Sequence, residues 1–165
     1  MPAMKDGRGR LRRRLSSPWL RAGLVFLIVI AADQLSKRAV RASIVPGEER
    51  RVLPGIQLVD TRNKGVAFGL FPSSQLVVAV LIGLALVALL VYFAKHSERR
   101  LIWLPTGMLV GGALGNILDR IRAGSVTDFI KLPLGWPPFN LADSSIVVSI
   151  VILMILLERP GRDQA

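Results

Sequence analysis

L-V-V-A-V-L-I-G-L-A-L-V-A-L-L-V-Y-F-A, Leu76 to Ala94, is a run of 19 apolar residues without a break. As a helix it reaches about 28 Å, close to the roughly 30 Å of a bilayer's hydrocarbon core. This stretch makes the chain an integral membrane protein, and its neighbours follow the same pattern. The polar hinge K-H-S-E-R-R at 95–100 leads into a second long run, Leu101 to Leu118, and Phe139 to Leu157 forms a third. Ahead of them, Ala22 to Ala32 offers only 11 uninterrupted apolar residues, so it spans only if the helix continues through Asp33, Gln34 and Lys37 toward Val40. A cleaved signal peptide is the rival reading of that short run. It is the weaker one, because no A-x-A site follows and Asp33 arrives at once.

The expected fold class is therefore an all-α integral membrane protein. It has four transmembrane helices at about 19–40, 75–94, 101–119 and 139–157, in a single membrane domain of 165 residues. Residues 1–18 read as a basic cytoplasmic tail, and loops 41–74 and 120–138 connect the helices on the far side. Composition supports the class: 52% of residues are hydrophobic and only 20% charged. The net charge of +11 does not point to nucleic acid, since seven of the 22 basic residues crowd the first 21 positions, where lipid headgroups and topology account for them.

Four passes put both termini on one side and both long loops on the other. The basic residues divide 12 to 10 between the sides, a weak bias. The nearly unopposed R-L-R-R-R of the N-terminal tail favours cytoplasmic termini. Neither outward loop reads as a plain linker. Pro54 to Leu70 holds a β-favouring run, an N-K-G turn signal and a second apolar run, which predicts a small extracytoplasmic β-hairpin, a cradle on the membrane surface. Val126 to Lys131 alternates as one strand would. Trp19, Trp103 and Trp136 suit interfacial anchoring.

Helix-end parity gathers the polar residues of the apolar segments at one face: Asp33 and Lys37, Asp119 and Arg120, Asp128, and Asp143. Gly107, Gly111 and Gly115, spaced by four and widened by Gly112, predict close helix packing that delivers Asn116, Asp119 and Arg120 into the bundle. Asp33 and Lys37, four apart, form a sufficient intrahelical ion pair. Asp128 and Asp143 have no evident local partner except Lys131, and an acid near a membrane segment is costly enough to suggest function.

Cysteine is absent and His96, in the hinge, is the single histidine, which excludes thiol chemistry and argues against a zinc site. Ser125, Ser144 and Ser145 lack a histidine on their face, and Lys131 is the one lysine near enough for a Ser-Lys pair. Two close carboxylates share a proton, so one can activate water while the other donates to a carbonyl oxygen. A proton-coupled transporter also wants buried acids, but it normally places some near the midplane along an aqueous route. A purely structural subunit explains the glycines and not the acids.

D-Q-L-S-K at 33–37, N-K-G-V-A-F at 63–68, G-G-A-L-G-N-I-L-D-R at 111–120, V-T-D-F-I at 126–130 and F-N-L-A-D at 139–143 together resemble the lipoprotein signal peptidase (signal peptidase II) family, in the family's order. The resemblance implies a bacterial inner-membrane aspartic endopeptidase that cuts prolipoproteins just before a diacylglyceryl-modified cysteine. It further implies a site toward the outer leaflet, globomycin sensitivity, and neither metal nor cofactor. The expected partners are the lipidated substrate, membrane lipids and globomycin-type inhibitors, with the enzyme a monomer. Carried over residue by residue, Asp128 and Asp143 match the catalytic dyad. Asn63, Asn116, Arg120 and Asn140 match positions that hold the substrate backbone or orient the dyad, and Asp33, Lys37 and Asp119 match supporting positions. Ala142 is expected to leave room for the lipidated turn.

Overall fold

The computed structural model describes residues 17–64, 75–99 and 101–158. Four long helices carry the described chain: α1 (Pro18–Ser43), α2 (Gln75–His96), α3 (Trp103–Ala123) and α4 (Leu141–Glu158). Pro18 opens α1 at a position where its missing N–H costs nothing. The helix then runs through Asp33, Gln34 and Lys37 because those side chains turn toward α3 and are satisfied there rather than meeting lipid. Gly124, in the left-handed conformation at φ 66°, ends α3 by donating its N–H to the Arg120 carbonyl at 3.0 Å. By length and composition, α1 and α4 are apolar enough to cross a membrane, and Gly83–His96 of α2 is a shorter apolar stretch.

Helices α1, α3 and α4 form the closely packed unit, and the glycines of α3 explain the closeness. Gly111 lies against Val29 of α1, where an added Cβ would come within 2.9 Å of the valine Cβ. Gly112 faces α4 on the other side, where a Cβ would sit 2.6 Å from the Ala142 carbonyl oxygen. Packing of this kind is how small residues bring membrane helices together. At one end, Ala22, Phe93 and Ile102 form an apolar cluster joining α1, α2 and the start of α3, and Trp19 meets Phe93 edge-on at 4.6 Å between ring centres.

At the opposite end lies a three-stranded antiparallel sheet in the order β1 (Glu49–Leu53), β2 (Ile56–Asn63), β3 (Val126–Lys131). Thr61 stands opposite Asp128, and Arg62 opposite Thr127. Phe129, Leu58 and Ile130 pack on Val40 and Ile44, seating the sheet on the last turn of α1 and the residue after it. Helices with a small β element match the expectation, and that element is a three-stranded sheet rather than a hairpin alone. The strand expected over 126–131 is present. A hairpin that the sequence did not announce is present too: its turn is Pro54–Gly55, with Gly55 at φ 80°, and the strand before the turn is E-R-R-V-L, while the expected N-K-G turn runs into residues outside the described ones. All five residues of that strand are exposed at the sheet edge, so no apolar alternation marks it. The proline and the positive-φ glycine suit a type II turn. The second apolar run of the expected hairpin, and the basic tail over residues 1–16, lie outside the described residues.

Candidate active site

The ends of α1 and α3, strand β3 and the start of α4 meet beneath the sheet, and the polar residues of four segments converge there. Lys37 is fully buried, and its ammonium has three partners: Asp33 Oδ2 at 2.8 Å, Asp119 Oδ2 at 3.1 Å and Asn116 Oδ1 at 2.9 Å. An ammonium has three N–H bonds to give, so each is used. Asp33 spends its other oxygen on the backbone N–H of Ala142 at 3.0 Å, tying α1 to the first turn of α4. Gln34 closes the group by donating to Asp119 Oδ1 at 3.0 Å and to the Gly115 carbonyl at 3.2 Å. Charges buried this deeply persist only when paired and hydrogen-bonded, and removing one partner costs about 3–5 kcal/mol.

Asn116 carries this cluster to the acids. Its Nδ2 donates to Asp143 Oδ1 at 2.7 Å. Asp143 belongs to a reciprocal cap at the start of α4: its backbone N–H donates to Asn140 Oδ1 at 2.9 Å, and its Oδ2 accepts the Asn140 backbone N–H at 3.2 Å. This has the arrangement of a capping box, with asparagine as the cap and aspartate as the returning acid. Asn140, itself fully buried, extends its Nδ2 to Asp128 Oδ1 at 2.6 Å. Asn63, at the end of β2, donates to Asp128 Oδ2 at 2.9 Å. One asparagine therefore links the two acids expected to act together, holding Asp128 by its side chain and Asp143 by its backbone.

Burial pushes the Asp128 carboxyl above the ordinary carboxylate range. The negative charge of Asp143 adds to the rise, while the hydrogen bonds from Asn63 and Asn140 and the charge of Lys37 oppose it. An acid so placed keeps its proton at a pH where an exposed aspartate has lost it. With a second carboxylate alongside, the pair can offer one acid and one base at once.

Asp33, Lys37, Asp119, Asn116, Asn140, Asn63, Asp128 and Asp143 are thus in one connected network. Two expected members join it only through backbone groups, Ala142 by its own N–H and Arg120 by the Asn116 carbonyl. Arg120 is exposed, and its guanidinium donates to the carbonyl of Asn116 in its own helix at 3.3 Å, not to either carboxylate. Ala142 is fully buried with its Cβ toward Gly115, so its small size makes room for α3. Gln34 and Thr127 were not expected. Thr127 is fully buried; its N–H donates to Asp119 Oδ2 at 3.4 Å, and its hydroxyl accepts from Arg41 and Arg62 at 3.1 and 3.4 Å. Both occur inside the quoted motifs, D-Q-L-S-K and V-T-D-F-I, which was the available signal.

Residues 25–158 match the family model described as Signal peptidase (SPase) II. The chain is 41% identical over 138 residues to the lipoprotein signal peptidase of Syntrophomonas wolfei subsp. wolfei, covering 83% of this chain and 92% of that protein. It is 40% identical to that of Moorella thermoacetica, covering 86% and 95% respectively. Among solved structures, a bacterial membrane enzyme determined by the in meso method at 1.9 Å resolution superposes with a TM-score of 0.77 at 28% identity, covering 85% of this chain and 94% of that one. On the family match and on these identities over most of its length, the chain belongs to the signal peptidase II family of membrane proteases.

Proposed function

We propose that this chain is an intramembrane aspartic endopeptidase that removes the signal peptide from diacylglyceryl-modified prolipoproteins, cutting on the N-terminal side of the lipidated cysteine. The observation that carries the reading is the Asp128–Asn140–Asp143 linkage at the start of α4, two carboxylates held by one asparagine at 2.6 and 3.2 Å. An ionised carboxylate there can draw a proton from water while its protonated partner donates to the scissile carbonyl oxygen. The fixed N–H donors hold both groups in place before substrate arrives, which is the form of preorganisation that lowers a barrier.

The proposal includes four transmembrane helices in a single membrane domain, with cytoplasmic termini, an outward-facing sheet and a monomeric enzyme. A substrate bearing two acyl chains then approaches laterally from the lipid and meets the dyad at the outer-leaflet edge. Asn63, exposed and bonded to Asp128, and the exposed Arg120 are the residues we assign to the substrate backbone. Globomycin-type lipopeptides would compete for the same space. The test is cleavage of a diacylglyceryl-modified prolipoprotein by purified enzyme, with Asp128→Asn and Asp143→Asn made separately. Each folded variant is expected to lose nearly all turnover. Substantial activity in either one removes it from the dyad.

A further inference from the structure

Two of the amides that hold the acids, Asn116 and Asn140, have directions that cannot be reversed, because each is oriented by a group that only donates. The Lys37 ammonium accepts nothing, so the Asn116 atom 2.9 Å from it is oxygen, and the atom 2.7 Å from Asp143 Oδ1 is N–H. The Asp143 backbone N–H likewise fixes oxygen as the near atom of Asn140, leaving that amide's nitrogen for Asp128 Oδ1. The remaining contact agrees, since Asn140 Nδ2 donates to Asn116 Oδ1 at 3.3 Å. Each acid therefore receives one N–H on each oxygen, Asp143 from Asn116 and Asn140 and Asp128 from Asn140 and Asn63. What sets Asp143 apart is its place in the first turn of α4, where unsatisfied N–H groups attract negative charge, and the Lys37 ammonium one amide away. Asp128 lies on a strand, with no helix N-terminus behind it.

We infer that Lys37 is a positioning residue: acting through the Asn116 amide, it makes Asp143 the base of the pair and leaves the shared proton on Asp128. The inference rests on the dyad reading above. In the resulting step, Asp143 takes a proton from water as the water oxygen bonds to the scissile carbonyl carbon, and Asp128 gives its proton to the carbonyl oxygen. When the C–N bond then breaks, Asp143 passes its proton to the departing amine nitrogen, and a hydroxyl of the tetrahedral carbon returns one to Asp128. Atoms and charge balance, and the pair ends as it began.

The charged groups around the pair are Lys37, whose charge also acts on Asp128, the acids Asp33 and Asp119 bonded to Lys37, and the exposed Arg120 bonded to the Asn116 carbonyl. Arg41 and Arg62 meet the neighbouring residue Thr127. Because Lys37→Met alone would strand two buried carboxylates, the working variant is Lys37→Met with Asp33→Asn. In it Asp119 keeps Gln34 and the Thr127 N–H, and the residue at 33 keeps an oxygen for Ala142. The readouts are kcat, KM and the pH profile of kcat in detergent or nanodiscs, with helicity and thermal unfolding as checks on folding. The expected result is a loss in kcat of about a hundredfold with KM within about threefold, and an acid limb of the profile displaced upward. Asn116→Leu should give a similar loss, and combining it with the Lys37 variant should add little, since both cut one connection. A kcat within about threefold of wild type with an unmoved acid limb, or losses that multiply in full, would overturn the inference. If the folded double variant at 33 and 37 does not form, Asn116→Leu alone decides by the same two readouts. Asp128→Asn and Asp143→Asn assayed alongside separate the two levels. Activity in either defeats the dyad itself, whereas inactivity in both beside an active Lys37 variant defeats only the wiring.

Discussion

Replacing Gly112 by alanine should impair catalysis from outside the polar network. An alanine Cβ there would lie 2.6 Å from the Ala142 carbonyl oxygen and 2.9 Å from Ile146 Cγ1, both in α4. Ordinary contact begins near 3.4 Å, so α3 and α4 must separate by about 0.8 Å at this level. The neighbour of Ala142 is Asp143. If α4 takes up the shift, the 2.6 Å bond from Asn140 to Asp128 stretches toward the limit of a hydrogen bond. Overpacking costs about 1–3 kcal/mol, and alanine's better helix propensity returns up to about 1, so the variant should fold with a modest loss of stability. A misplacement near 1 Å can reduce turnover about a hundredfold. The assay is cleavage of lipidated prolipoprotein in proteoliposomes, with unfolding temperature measured on the same preparation. Gly23→Ala is the control, since nothing lies within 4 Å of its added methyl. A folded Gly112→Ala enzyme with kcat within about threefold of wild type, or an equal loss in the Gly23 variant, would refute the reasoning.

Three further outcomes follow from the geometry. Burial raises the Asp128 carboxyl, so the folded chain binds the extra proton between the unfolded and folded values and loses stability as pH rises through that window. Asp128→Asn should therefore unfold at a higher temperature than wild type at neutral pH, with the gain vanishing below the window; an equal or lower neutral-pH midpoint would contradict it. Arg120→Ala should raise KM by about tenfold with little change in kcat, because the exposed guanidinium touches neither acid. Steady-state kinetics showing the reverse split would place Arg120 in the chemistry. Trp136, 63% exposed beside the fully exposed Leu134, should be quenched by brominated lipid once Trp19 and Trp103 are replaced by phenylalanine. Unquenched emission would lift this loop away from the bilayer.

The helices were legible because apolar length is a signal that a sequence carries locally. The polar turns at the end of α1 were also legible, but only through Asp33 and Lys37 at helical spacing; that Lys37 answers to three partners depends on Asn116 and Asp119, some 80 residues away. The sheet was half legible. Val126–Lys131 alternates, whereas Glu49–Leu53 forms a strand only because β2 offers it an edge, and its charged residues conceal it. The asparagines were found by motif rather than by physics, since an amide's role is set by which neighbour fixes its direction. Ala142 shows the same limit, since its small size also serves the contact with Gly115 of α3, a neighbour that the local sequence does not reveal.

The fully buried Lys37 also has a consequence for how the chain is made. Helix α1 leaves the ribosome some 75 residues before Asn116 and Asp119, so in the four-helix arrangement proposed above it enters the membrane while two of the three contacts of that ammonium do not yet exist. Its one early companion is Asp33, a turn back on the same helix at 2.8 Å. The pair lets a polar segment pass as nearly neutral during synthesis. When α3 arrives, Asn116 and Asp119 complete the set, so assembly of the membrane bundle and completion of the polar cluster become one event. An α1 that failed to recruit α3 would keep an ammonium with one partner of its three.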